Sequence, residues 1–377
     1  MASIKKRPNG MWRARYRDEA DREHAKHFAR KTDAQKWLDE VTASVVTGTY
    51  VDPKAGAITF EQWWKQWSAR QVWADGTAES AHQAAASVTF ARIKLATLRP
   101  SHIEAWIKTM QAKPLEATTI RTRYNYVHAS LTAAVRDRVI ARDPAEHTRL
   151  PRARKAEHAM TIPTAERVAK ALDAAPPFFE AFVAVAAFAG LRLGEIAGLQ
   201  LRDVDFLRRT IEVRRQVQGA TVANRTVVPP KFGSERVVYV PEELTTILAR
   251  HIEKHGTSTV EDVPGADDDA AWLFTTPAGH LYTRAAAGGQ WRRTREKAGL
   301  EEFTLHDLRH FYASGLIAQK CDVVTVQRAL GHAQPSITLD TYSHLWPSAE
   351  DTTRGAASAV AKTVLAARAD SLRTETG

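Results

Sequence analysis

Forty residues near the C-terminal end constrain the fold most: FTLHDLRHFYASGLIAQKCDVVTVQRALGHAQPSITLDTY, residues 303–342. His306 and Arg309 are three apart at the head of an apolar run (Phe311, Tyr312, Leu316, Ile317), so a helix sets both on one face. Ala329-Leu330-Gly331 predicts a helix that stops on a left-handed glycine, with His332 just beyond it. Ser336 is a good N-cap for one more short helix, 337–342, which would carry Tyr342. Guanidinium, imidazole and phenol groups can then converge within a few turns. Those are the groups needed to hold a phosphate and attack it.

The order and spacing of these residues resemble the tyrosine recombinase (phage integrase) family. HDLRH matches the family's His-x-x-Arg box, LGH its second histidine and ITLDTYSH its nucleophile segment. The family's upstream arginine box resembles AGLRLGEIAGLQLRDVD at 189–205, which places Arg192. The match of Lys231, in PPKFGSER, to the family's catalytic lysine is looser, because Phe232 follows it and Arg236 stands close by as a competitor.

At 377 residues the chain is long enough for two or three domains. Hydrophobic residues make up 44% of it, enough to build cores. The net charge of +10 is uneven: +4 over residues 1–57, +7 over 58–157 and −1 over the remaining 220. That excess suits a polyanion partner for the first 157 residues. The single cysteine, Cys321, allows no intrachain disulfide, which fits a reducing cytoplasm, and it reads as a small apolar residue. No run of ~18 apolar residues offers a membrane span, and the start lacks an apolar signal core. The longest apolar stretch, 181–191, reads as a buried helix.

In chain order, Pro8-Asn9-Gly10 is a hairpin turn signal inside a basic segment with Lys5, Lys6, Arg7, Arg13, Arg15 and Arg17 and no acid before residue 18. A second strand over 24–29 and a helix from Thr32 to about Val46 follow, then a linker over 47–57. Such a sheet can lie on a DNA groove, or its charges can simply protect an edge. Residues 58–150 read as a helical bundle. Thr59 opens a helix with Phe60, Trp63, Trp64 and Trp67 at core spacing, and 77–88 is an Ala-rich helix. Ser101 and Glu104 form a capping-box pattern, and 117–139 is a long amphipathic helix with Arg121 and Arg123 off its apolar line. A basic linker holds Arg152, Arg154 and Lys155.

Helices over 164–174, 178–189 and 193–199 lead the next unit, followed by strands near 210–217, 225–230 and 236–240 with Lys231 between the last two. A helix over 242–255, a short strand at 272–274, a basic helix over 284–298 and a tail helix near 356–370 complete it. The tail's stripe of Val360, Val364 and Leu365 suits docking on a neighbouring subunit or packing on its own domain.

The expected fold is multidomain α+β: a small N-terminal β-sheet and helix module (1–57), an all-α core-binding bundle (58–150), a linker (151–158), a mainly α catalytic domain with a small antiparallel sheet (159–355) and a tail helix (356–377). The resemblance implies a site-specific DNA recombinase working through a 3′-phosphotyrosine and a Holliday junction, on attachment sites in double-stranded DNA, as a homotetramer. A host DNA-bending protein and an excisionase are implied as further partners, and a bacterial cytoplasm, at the nucleoid, as the location. In that reading Tyr342 is the nucleophile, Arg192 and Arg309 neutralise the phosphate, and His332 donates to it. His306 accepts or orients the phenol proton, and Lys231 protonates the leaving 5′ oxygen. Glu195 is expected to brace an arginine, and His310 to be a supporting contact or packing. His306 and His310 also have the i, i+4 spacing of zinc pairs, but Arg309 would put a fixed charge beside the metal; no metal or other cofactor is expected. The rival readings are a chromosome or plasmid dimer resolvase, a type IB topoisomerase, and a DNA-binding regulator with a vestigial site. Relaxation of a supercoiled plasmid without partner sites would favour the topoisomerase.

Overall fold

The computed structural model describes residues 2–17, 21–46, 55–113, 115–152, 162–267, 269–346 and 349–374. The chain divides into two compact units, Met1–His158 and Ala159–Gly377.

The first unit opens with an antiparallel sheet of β1 (Ser3–Lys6), β2 (Trp12–Arg17) and β3 (Glu23–Phe28) in sequential order. Gly10, at φ +80°, supplies the left-handed position that the tight turn before β2 requires. Strand alternation sends Ile4, Ala14 and Tyr16 to one face, where α1 (Lys31–Val46) covers them with Trp37, Leu38 and Val41. The opposite face carries Lys5, Arg13, Arg15 and Arg17. These arginines are paired: Arg13 and Arg15 with Glu23 at 2.8 and 3.3 Å, and Arg17 with Asp21 at 2.8 Å. Lys6 falls on the α1 side, 5.8 Å from the Trp12 ring, and Arg7 lies exposed in the turn.

Four helices follow: α2 (Phe60–Ser68), α3 (Asp75–Ala86), α4 (Pro100–Gln111) and α5 (Ala117–Arg136). Thr59 caps α2 in a reciprocal capping box with Gln62. Trp63, Trp64 and Trp67 are buried as core, and the Trp63 indole donates to the Ser130 carbonyl at 2.9 Å. The Ser101–Glu104 box does not form. Pro100 takes the first helical position, which its fixed φ suits, so Ser101 falls inside the helix and the imidazole of His102 accepts from the Arg99 amide instead. Arg121 is exposed and Arg123 half-buried on α5; Arg152 is exposed. Arg154, Lys155 and most of the expected linker at 47–57 lie outside the described residues.

In the second unit, α6 (Ala165–Ala174) precedes α7 (Pro177–Phe188), whose Ala181–Ala187 segment is buried throughout. After α8 (Leu193–Ala197), two small antiparallel sheets form. One has the order β4 (Val204–Asp205), β5 (Thr210–Val213), β8 (Arg236–Tyr239), and the other pairs β6 (Gln216–Gln218) with β7 (Thr226–Val228). The single strand expected over 210–217 is therefore split at Arg214-Arg215. Its two halves pair with different partners, and Lys231 sits in a crossover turn between sheets, not in a hairpin. Residues 272–274 form isolated bridges through Trp272 and no named strand.

Helices α9 (Glu242–His255) and α10 (Arg284–Ala298) pack on this core. Then come α11 (Leu305–Ala318), α12 (Val323–Leu330), α13 (Pro335–Tyr342) and α14 (Ala349–Thr374). Residues of α11, α12 and α13 build a separate apolar cluster of Ala313, Ile317, Val326, Leu330 and Tyr342. Ser336 is not the cap of α13: Gln334 holds that position and Pro335 is the first helical residue. Helix α14 leaves Val360, Val364 and Leu365 exposed. Among the described residues no helix is long and apolar enough to cross a membrane.

Candidate active site

Gly190, at φ +63°, ends α7 and turns the chain into α8; a Cβ there would lie 2.3 Å from the Tyr312 ring. Arg192 is the next N-cap, and Glu195, three residues on, accepts from the Arg192 amide at 2.9 Å and from its Nη1 at 2.7 Å. Glu195 is 1% exposed, and Arg236 of β8 completes its coordination with Nη2 at 2.9 Å and Nη1 at 3.2 Å. Burial alone would raise this carboxyl; the hydrogen bonds and charge of Arg236, with those of Arg192, outweigh it and hold the group below the usual range.

Three arginines meet at the C-terminal end of α12. That helix stops on Gly331 in the left-handed conformation, φ +64°, as its sequence predicts. Its last carbonyls need donors. Arg236 Nε donates to Ala329 O at 3.1 Å, Arg309 Nη2 to Leu330 O at 2.6 Å, and Arg192 Nη2 to Gly331 O at 2.9 Å. Arg309 also donates to Gly190 O at 2.5 Å, tying α11 to the end of α7. A Cβ on Gly331 would lie 2.7 Å from Arg236 Nη1, so the glycine also clears space for that side chain. Positive charge at a helix C-terminus is favourable, and two of these three guanidiniums, Arg192 and Arg236, also bond one buried carboxylate, Glu195. The excess of cations shows in the titration of the site. Burial, then Arg192, brings Arg309 down to about 9. Burial and neighbouring cations push His306 and His332 down to about 4, so both are neutral near pH 7.

His332 leaves α12 directly, and its Nδ1 lies 2.8 Å from Thr338 Oγ1 on α13. Tyr342 ends α13, is 1% exposed, and is pushed up to about 12 by burial, with Arg309 opposing. Its hydroxyl lies 2.6 Å from Nδ1 of His310. In this structure the phenol meets His310 and not His306. His310 follows Arg309 and faces α13, whereas His306, one turn earlier, stacks edge-to-face on His310 at 4.8 Å.

The structure thus gathers Arg192, Arg309, His306, His332 and Tyr342. Lys231 stays exposed in its turn, with no part in the bonds that tie the cluster together. Sequence reasoning left Arg236 as a competitor for the lysine's role and His310 as a supporting contact or packing. The signal for Arg236 was weak, because its partners are 41 and 93 residues away in the chain. Among the described residues no group of three or more His, Cys, Asp or Glu is placed to hold a metal.

The arginines at the end of α12, two histidines and a tyrosine at the end of α13 stand on the fold of a tyrosine recombinase, an enzyme that cuts and rejoins DNA, and the family match bears this out. Residues 159–348 match the model of the phage integrase family, and residues 2–47 that of the phage integrase N-terminal domain; the chain belongs to this family. The integrase of Mycobacterium phage L5 is 25% identical over 324 residues, 83% of this chain and 84% of that protein. A putative prophage phiRv2 integrase of Mycobacterium tuberculosis is 24% identical over 349 residues, 89% of each. The fold resembles the Tn1549 transposon integrase solved with transposon right end DNA, at a TM-score of 0.68 and 21% identity over 81% of this chain and all of that one. It also resembles a lambda integrase solved as a tetramer on a Holliday junction, at 0.58 and 15% identity over 88% of this chain and 96% of that one.

Proposed function

We propose that Tyr342 attacks a scissile DNA phosphate and becomes linked to the 3′ side, with Arg192 and Arg309 neutralising the phosphorus centre. The observation that supports this reading is the meeting of Arg192, Arg236 and Arg309 at the end of α12, with Tyr342 bonded to His310, the neighbour of Arg309 in α11. Guanidiniums are planar, always charged and bidentate toward phosphate oxygens, which suits the charge gathered in the transition state. Each keeps N–H groups beyond those bound to protein carbonyls. His332, neutral, is a donor to the same phosphate once Thr338 fixes its ring. Lys231 supplies the proton of the leaving 5′ oxygen, a role that its exposed turn allows. A free 5′ hydroxyl from a second duplex then reverses the attack without net hydrolysis.

The recombination runs at attachment sites of a phage or other mobile element, in a four-subunit synapse that passes through a Holliday junction. Support comes from the phage relatives and from the lambda integrase tetramer solved on such a junction. Three DNA-contacting parts serve it: the 1–57 module through Lys5, Arg13, Arg15 and Arg17, the 58–150 bundle, and the catalytic domain. The exposed stripe on α14 docks on a neighbouring subunit. A DNA-bending host protein and an excisionase set the direction. The test is a Tyr342→Phe variant, offered a nicked duplex copied from the ends of the element. It is expected to bind with near-normal affinity and to form no covalent adduct; an adduct at the normal rate would end the proposal.

A further inference from the structure

We propose that His310, not His306, takes the phenol proton as Tyr342 attacks. The inference rests on Tyr342 being the nucleophile. Its carrier is the 2.6 Å contact between Tyr342 Oη and His310 Nδ1, the one side-chain bond the phenol makes among the described residues. A general base must stand within hydrogen-bond reach of the proton that it removes, and His310 does. The ring is placed by three contacts. Arg309, its neighbour in α11, is anchored at both ends on Gly190 O and Leu330 O, so that turn of the helix cannot rotate freely. His306 packs on one side of the ring, and Tyr342 meets it from α13 at a centroid distance of 5.5 Å.

The charged and titratable groups facing His310 are Asp307, Arg309 and His306 on its own helix and Tyr342 on α13. Burial lowers the imidazole, Asp307 opposes, and Arg309 adds to the lowering, so the ring is neutral near pH 7 and has a lone pair to offer. The phenol, pushed up to about 12, keeps its proton and is the donor. For Nδ1 to accept, the ring proton must sit on Nε2.

The step balances within the groups named. The Oη–H bond breaks and the proton goes to Nδ1, making an imidazolium. The Oη–P bond forms as the P–O5′ bond breaks, and the leaving oxygen takes its proton from the general acid assigned to Lys231. In rejoining, the 5′ hydroxyl attacks and gives its proton back to the neutral amine assigned to Lys231, while the imidazolium returns its proton to the departing phenolate. An incoming phosphate brings negative charge beside a site rich in cations, which favours the imidazolium in that moment.

The experiment measures single-turnover adduct formation from pH 5.5 to 9 on the nicked duplex, for wild type, His310→Asn, His310→Ala and His306→Asn. Asn places an oxygen near the Nδ1 position, so it can accept from the phenol but cannot keep a proton. DNA affinity and thermal midpoint are read beside each rate. Expected are normal binding, His310→Asn and His310→Ala both slower by roughly 10²–10⁴-fold, and loss of the acidic limb of the pH profile in both. If His310→Asn, folded and bound, cleaves within about tenfold of wild type with the limb unchanged, the proposal is overturned. Adduct formation by Tyr342→Phe would instead sink the nucleophile assignment, whatever the His310 variants do.

Discussion

His306 and His332 are driven down to about 4 by burial first and by cations second. An unfolded chain titrates its histidines near ~6.5. Between those two values the unfolded state binds more protons, so stability falls as the pH drops from about 6.5 toward 4 and is flat above 7. Chemical denaturation midpoints of the DNA-free protein should therefore decline steadily over that window, and His332→Asn should flatten the decline. A midpoint that rose on acidification would contradict the sign. At this scale much of the candidate site was legible. His306, Arg309, His332 and Tyr342 stand out by residue type and spacing, Arg192 by its resemblance to the family's upstream arginine box, and Arg192 and Arg309 meet at the end of α12, from which His332 leaves. The partner of the phenol was not legible. His306 and His310 both lie on one helical face, and which of them meets Tyr342 depends on how α13 crosses α11, something that spacing along one helix does not encode.

The end of α12 shows what elements contribute. Its last three carbonyls, Ala329 to Gly331, are taken by arginines from β8, α11 and the N-terminus of α8, so three other segments fix the helix end from which His332 leaves. Arg236 carries two of the strands of this knot, since it also holds Glu195. Replacing it by Gln leaves a buried carboxylate short of a partner, though Arg192 remains. Removal of one member of a buried pair typically costs about 3–5 kcal/mol, and the remaining arginine should reduce that to about 2–4 kcal/mol. Denaturant titration should show that loss, with Arg236→Lys intermediate because an ammonium cannot span both oxygens and a carbonyl; an Arg236→Gln protein as stable as wild type would contradict the brace. The glycine stop at Gly331 and the turn at Gly10 could be read from sequence because each is a local backbone demand. The break at Arg214-Arg215 could not. Both halves look like one strand, and only pairing with β8 on one side and β7 on the other separates them. Helix starts slipped for a similar reason: Pro100 and Pro335 claimed the first turn from Ser101 and Ser336.

Across the whole molecule, charge and chemistry are divided. The positive excess lies in the first 157 residues, while the second unit is nearly neutral overall and sets two of its arginines, Arg192 and Arg236, on the buried Glu195. Binding and chemistry can thus be separated by substitution. The N-terminal arginines are less free than a bare count of charges suggests, because Glu23 and Asp21 engage them and must yield if phosphates are to bind. The phenol is likewise withheld. Tyr342 is 1% exposed, within a small apolar cluster apart from the main core. The most direct measurement is to trap the protein on the nicked duplex, digest the complex and locate the DNA-bearing peptide by mass spectrometry. The ester is expected on Tyr342, formed equally well in the presence of a chelator of divalent ions. An ester on any other residue, or a strict dependence on a divalent ion, would contradict the account.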